Sequence, residues 1–170
     1  MAKRLIITGT PGTGKTTVAD LLSRELNEPV IHVTDYIKAN KLSSGTKDGE
    51  LLVDTARLRK ALISEPGILE SHLLCEFSLP DAIVIVLRCR PDELAKRMSK
   101  RGYSAQKVRE NQEAEALDYC TQLAEQHYKK VFEVDTTGKS AAQTAEECLK
   151  IIKGRKQKKQ TIDFSDFFLQ

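Results

Sequence analysis

The sequence has no tryptophan and only five phenylalanines and four tyrosines, so its interior must be built from aliphatic side chains. Its longest unbroken apolar run, Ala82 to Leu87, is far short of the roughly twenty residues a membrane-spanning helix needs, and no membrane is expected among its partners. Met1 to Arg4 leads straight into Leu5-Ile6-Ile7 and then glycines, without the apolar core of a signal peptide. The four cysteines, Cys75, Cys89, Cys120 and Cys148, form no Cys-x-x-Cys pair. That spacing points away from zinc and from a disulfide framework, and implies a reducing, cytoplasmic setting. What the chain does have is a 40% hydrophobic content over 170 residues, enough for one domain with a single core and too much for global disorder.

The formal charge of +3 is unevenly placed. Residues 1–152 carry 22 basic and 22 acidic side chains, which cancel; residues 153–170 carry five basic and two acidic ones, and supply the whole excess. Within the neutral body, residues 88–109 hold eight bases (Arg88, Arg90, Lys96, Arg97, Lys100, Arg101, Lys107, Arg109) against Asp92 and Glu93, and residues 110–125 then hold five acids and no base.

Short apolar segments alternate with helical spacing along the body. Lys3–Thr8, Val30–Val33, Ile68–Glu70, Ala82–Leu87 and Val131–Val134 read as strands; the fourth is the clearest, an apolar run with no alternation, which fits burial on both faces of a parallel sheet. Thr16–Leu26, Thr55–Ile63, Pro91–Lys100, a long amphipathic run Ser104–Tyr128, and Ala141–Ile152 read as helices. Asp35 is placed to cap a further helix towards Lys41, and Leu42–Glu50, polar with two glycines, reads as a mobile loop. The expected fold is therefore α/β: a three-layer arrangement with a five-stranded parallel sheet.

Gly9-Thr10-Pro11-Gly12-Thr13-Gly14-Lys15-Thr16 matches the phosphate-loop pattern G-x-x-x-x-G-K-[ST] in full, with a strand before it and a helix after it. Wrapping a triphosphate in backbone N–H groups requires close approach, which glycine permits, and the helix N-terminus favours the negative charge. Lys15 is expected on the β- and γ-phosphates of ATP and Thr16 on Mg²⁺. The base-reading Asn-Lys-x-Asp of a GTPase is missing, since Asn40-Lys41 continues into Leu42-Ser43.

A small-molecule kinase also needs an acid near Mg²⁺, an acceptor pocket and cations for the transferring group. Glu70-Ser71-His72 stands at the carboxyl end of a strand, where ligands of open α/β sheets collect: Glu70 is the candidate metal partner, through a water, and His72 is a candidate for orienting a water or the acceptor. Residues 34–53 are the candidate acceptor region, with Asp35, Lys38 and Arg57 as its nucleotide-binding candidates. Arg97 and Arg101, ahead of a Gly102 hinge, suit a lid over residues 100–111.

These residues resemble the adenylate kinase isoenzyme 6 family, from about Arg4 to Gly154. The resemblance rests on the phosphate loop through Thr17, Glu70-Ser71-His72, Val86-Leu87-Arg88 and Arg101-Gly102-Tyr103. It implies a nucleoside monophosphate kinase fold with a small acceptor region and a short lid, reversible transfer from ATP to AMP or a related monophosphate, and ATP hydrolysis. It implies Gly12, Thr13, Gly14, Lys15, Thr16 and Thr17 as ATP binders, Arg101 as the lid arginine, and Lys15, Arg101, Glu70 and His72 as the catalytic set. It also implies a role in assembling the small ribosomal subunit, with a platform ribosomal protein and pre-rRNA as partners. The chain departs at Glu70 from the eukaryotic relatives in that family, which carry Asp. It differs from ordinary adenylate kinases at Lys38, where they use Arg, and in lacking Asp-Gly-Phe-Pro-Arg, which suggests loose acceptor choice. A mainly ATP-hydrolysing assembly factor, or a kinase of a non-nucleotide metabolite such as a sugar acid, are the alternatives.

Residues 155–170 form a separate basic and aromatic tail. Its basic run from Arg155 to Lys159 precedes Ile162, Phe164, Phe167 and Phe168. Folding back to bury the aromatics competes with a docking arm whose bases touch rRNA phosphates.

Overall fold

A computed structural model of the chain describes residues 4–47, 49–154 and 162–169. In chain order its elements are β1 (Arg4–Thr8), α1 (Lys15–Leu26), β2 (Val30–His32), α2 (Val33–Ala39), β3 (Ser43–Lys47), β4 (Glu50–Val53), α3 (Thr55–Leu62), β5 (Ile68–Glu70), a 3-10 turn His72–Cys75, β6 (Ala82–Arg88), α4 (Pro91–Lys100), α5 (Ala105–Ala116), α6 (Tyr119–His127), β7 (Val131–Asp135), α7 (Ala141–Ile152) and a last 3-10 turn Ser165–Leu169.

Five strands form one parallel sheet in the order β2-β5-β1-β6-β7. Strand side chains alternate between two apolar layers. Leu5, Ile7, Ile68, Ile85 and Leu87 pack with Val18, Leu22, Cys148 and Ile151, the inner faces of α1 and α7. Ile6, Leu69, Val84 and Val86 pack with Ile37, Leu58, Leu62, Ala124 and Tyr128 from α2, α3 and α6. Both faces are thus covered, which is why the interior strand β6 lacks polar alternation, and the result is the three-layer P-loop architecture. A smaller cluster of Leu94, Met98 and Val108 joins α4 to α5. Among the described residues no helix is long and apolar enough to cross a membrane, and all four cysteines are buried thiols.

Three local expectations change. Residues 42–50 are not a loop: β3 and β4 pair antiparallel, with Lys47 opposite Glu50 and Thr46 opposite Leu51. Asp48-Gly49 in the sequence is a hairpin signal, and Leu51 and Val53 alternate inward against the core. The long helix over 104–128 is two helices. It breaks at Asp118, whose backbone turns left-handed at φ 55° while its carboxylate accepts from Arg88 Nη2 at 2.5 Å. Finally, α2 begins earlier than expected, with His32 at its N-cap and Asp35 inside its first turn.

The described end of the tail lies against the body. Ile162 and Phe164 are buried, while Phe168 and Leu169 are exposed. The basic run Arg155–Lys159, which the docking-arm alternative would lay on rRNA phosphates, lies outside the described residues.

Candidate active site

β1 sits at the centre of the sheet, between β5 and β6, so the loop after it opens at the carboxyl end of the sheet where the strand order reverses. Gly9 carries the turn: a Cβ there would stand 2.4 Å from the Leu87 carbonyl oxygen. The two other loop glycines stand in different protein surroundings. A Cβ on Gly12 would meet Met98 Cγ at 2.9 Å, so this glycine admits α4, whereas one on Gly14 would meet nothing within 4 Å. Gly14 instead serves as the N-cap of α1 at φ 95°.

Lys15 is buried, and its Nζ donates to the Thr10 carbonyl at 3.0 Å. Burial pushes its pKa down from the ordinary lysine value, against the opposing pull of the Glu70 charge. Thr13 is buried with its hydroxyl on the same carbonyl, 2.9 Å away. Thr16 and Thr17 are exposed on the first turn of α1. The Thr16 hydroxyl donates to Glu70 Oε2 at 3.3 Å. A hydroxyl and a carboxylate side by side are hard oxygen donors, the set Mg²⁺ takes beside substrate phosphates.

One cleft of about 1120 Å³ collects Gly12, Lys15, Thr16, Lys38, Glu70, His72 and Arg101. The structure therefore brings together the catalytic candidates and one acceptor candidate, Lys38. Thr17, Asp35 and Arg57 are exposed and do not line this cleft. Arg57 uses its backbone N–H on the Asp54 cap, and its neighbour Arg59 reaches the Ser78 carbonyl at 2.8 Å.

His72 is half-buried at the cleft wall. Burial, reinforced by the Lys15 charge, pulls its pKa down to about 4, so its ring is neutral at physiological pH.

The basic stretch 88–109 divides sharply. Arg101, at the C-cap of α4, and Lys107 line the cleft. Arg97, expected beside Arg101 in the lid, turns away to Glu93 and to the Thr136 carbonyl at 2.9 Å. Arg90 pairs with Asp166 of the tail at 2.6 Å, and the Arg109 guanidinium lies over the Phe167 ring at 5.3 Å. Arg88 is fully buried among Glu115, Asp118 and Glu133.

Two features escaped the sequence. His32 Nδ1 lies 2.9 Å from Glu70 Oε2 and its Nε2 lies 2.9 Å from Asp20 Oδ1. The parallel register sets His32 opposite Glu70, so their side chains leave the sheet on one face. Burial alone would lower the His32 pKa, but the hydrogen bonds to Glu70 and Asp20 prevail and raise it. Across the cleft, Lys107 Nζ of α5 pairs with Glu50 Oε1 of β4 at 2.6 Å, closing the hairpin onto the helix after the Gly102 turn. Strand register and an ion pair between distant elements leave no periodic trace in sequence. Only the isolated His32 at a strand end was a usable signal.

Comparison with known proteins gives one consistent direction. Residues 5–118 match the AAA domain family. A Methanosarcina acetivorans protein named "Putative adenylate kinase" is 42% identical over 159 residues, covering 86% of this chain and 84% of its own length. The protein of the same name from Methanocaldococcus jannaschii is 39% identical over 171 residues, covering 96% and 93%. Among solved structures, shikimate kinase from Acinetobacter baumannii in complex with shikimate superposes with a TM-score of 0.67 at 18% identity, covering 93% of this chain and 97% of that one. That likeness is one of fold.

Proposed function

The chain belongs to the AAA domain family, and on that premise we propose that it is a nucleotide kinase of the adenylate kinase type, moving the γ-phosphoryl group of Mg·ATP to AMP or a related nucleoside monophosphate. The observation that carries this reading is the single cleft in which Lys15 and Thr16 of the phosphate loop face Lys38 and Arg101. Donor phosphates and an acceptor phosphate would meet between them.

The loop amides and Lys15 hold the β- and γ-phosphates, and Arg101 approaches from the lid side to balance charge that develops on the transferring group. Thr16 and Glu70 would hold Mg²⁺, which when bound neutralises phosphate charge. Lys38 grips the acceptor phosphate as a point charge, without the bidentate fork of arginine. An acceptor phosphate is already anionic and needs no strong general base. Closure of the turn at Gly102 would exclude water and favour transfer over hydrolysis.

A second reading is ATP hydrolysis coupled to assembly of the small ribosomal subunit with its platform protein and pre-rRNA. Its hydrolytic half is supported by His72, which lines the cleft together with Lys15 and whose pKa burial pulls down, so that the ring is suited to accept a hydrogen bond from a water there.

The test follows phosphate and ADP separately during incubation with Mg·ATP alone, then with AMP, CMP or sugar acids. ADP formation that requires AMP is the expected result. Acceptor-independent phosphate release would transfer the assignment to the second reading, and sugar-acid dependence would overturn both. Lys15→Ala must abolish whichever activity is seen.

A further inference from the structure

Thr10 is the hub of the phosphate loop. Its carbonyl accepts from the Thr13 amide at 3.3 Å, the Thr13 hydroxyl at 2.9 Å and Lys15 Nζ at 3.0 Å. Its hydroxyl points the other way, donating to Glu115 Oε2 at 2.5 Å. Glu115 belongs to α5, far from the loop in sequence, and is 1% exposed.

The other Glu115 oxygen accepts from Arg88 Nε at 2.8 Å and from the Cys89 amide at 3.0 Å. Arg88, also 1% exposed, donates from Nη2 to the Glu115 carbonyl at 2.9 Å and to Asp118 at 2.5 Å, and from Nη1 to Glu133 and the Ile162 carbonyl at 3.4 Å. The Phe164 ring closes over the guanidinium at 5.3 Å. Every partner of the carboxylate is thus itself fixed: a strand-end amide, a buried arginine held by three acids, and a loop hydroxyl.

Stability alone does not call for this arrangement. A buried ion pair typically does no better than a well-packed apolar pair of the same volume. What the charge provides here is geometry, because a carboxylate with both oxygens committed holds Thr10 in one place. Lys15 now rests on the Thr10 carbonyl, and it must leave that contact to meet a phosphate. The tie to Glu115 runs through the Thr10 hydroxyl, not through the carbonyl that Lys15 holds, so the two contacts do not compete for one atom.

We infer that Glu115 is a positioning residue for nucleotide binding: anchored by Arg88 at the end of β6, it holds Thr10 so that the phosphate loop is preset for a nucleoside triphosphate. The inference rests on the nucleotide-binding reading of that loop. A loop released from this tie spends less time in the competent shape, and apparent affinity falls by the competent fraction.

The test compares Thr10→Val, which keeps the shape and removes the hydroxyl, with Thr10→Ser, which keeps the hydroxyl, in the full chain. Mg·ATP affinity is measured by calorimetry, with thermal midpoints in parallel. Thr10→Val is expected to weaken binding by about three- to tenfold, raising KM for ATP more than it lowers kcat. Thr10→Ser is expected to restore wild-type affinity. Glu115→Ala should weaken binding similarly, and less than additively when combined with Thr10→Val. Wild-type affinity in Thr10→Val, equal loss in Val and Ser, or a lowered midpoint with unchanged affinity would each overturn the inference alone. A wild-type chain that binds no Mg·ATP would overturn the nucleotide reading and the inference together.

Discussion

The imidazole of His32 lies 2.9 Å from the carboxylate of Glu70, with Asp20 at the same distance from its other nitrogen. Glu70 is thereby held beside the Thr16 hydroxyl by a group whose hydrogen-bond partners, Glu70 and Asp20, both lie outside the phosphate loop. Outer partners of metal-binding carboxylates commonly contribute ten- to a hundredfold to metal affinity or activity. His32→Ala is expected to raise the Mg²⁺ concentration for half-maximal activity by about tenfold, with Mg²⁺-independent folding retained. An unchanged Mg²⁺ dependence, measured by titration at fixed ATP, would remove His32 from this role.

His72 of the cleft wall and His32 behind Glu70 should titrate in opposite directions in the nucleotide-free protein. His72 is pulled down to about 4 by burial and the Lys15 charge, while His32 is raised by Glu70 and Asp20 over the opposing effect of burial. The signs follow by linkage. An unfolded His72 binds protons that the folded one refuses, so its contribution to stability is lost as pH falls from its unfolded value towards 4. His32 works the other way: its contribution is complete below the unfolded value and is lost as pH rises through its elevated one. Ring-proton NMR against pH reads both. A His72 that titrates near the ordinary histidine value would show that its ring faces water more than the fold indicates.

Arg88 is a fully buried cation outside the cleft. Three carboxylates surround it, so removing it leaves uncompensated negative charge in the interior. Arg88→Met is expected to cost about 3–5 kcal/mol, read as a fall in the denaturant midpoint. Phe164→Ala, which uncovers the same guanidinium, should cost less, about 2–3 kcal/mol given burial of the ring at the surface of the body. Stability unchanged by Phe164→Ala would mean that the tail end contributes nothing to the folded body.

Much of this molecule is legible from local pattern. The spacing of glycines and Lys15 between a strand and a helix announces the phosphate loop, because wrapping phosphate in amides admits few residue types. The non-alternating apolar strands announce a sheet covered on both faces. Over residues 42–53, by contrast, the sequence does not separate hairpin from loop, because polar exposed residues in β3 (Ser43–Lys47) mask its pairing with β4. The single helix expected over 104–128 failed for a different reason: Asp118 abandons helical backbone to reach Arg88, a partner 30 positions away.

By itself, then, the amino-acid order determined the parallel sheet, the phosphate loop and the acid at the end of β5, since each follows from periodicity or fixed spacing along the chain. The tertiary structure alone decided which arginines face the cleft, that His32 clasps Glu70, and that Glu115 holds Thr10. Those choices depend on strand register and on long-range pairing of buried charges, and a buried charge takes whichever partner the fold delivers, at any distance in sequence.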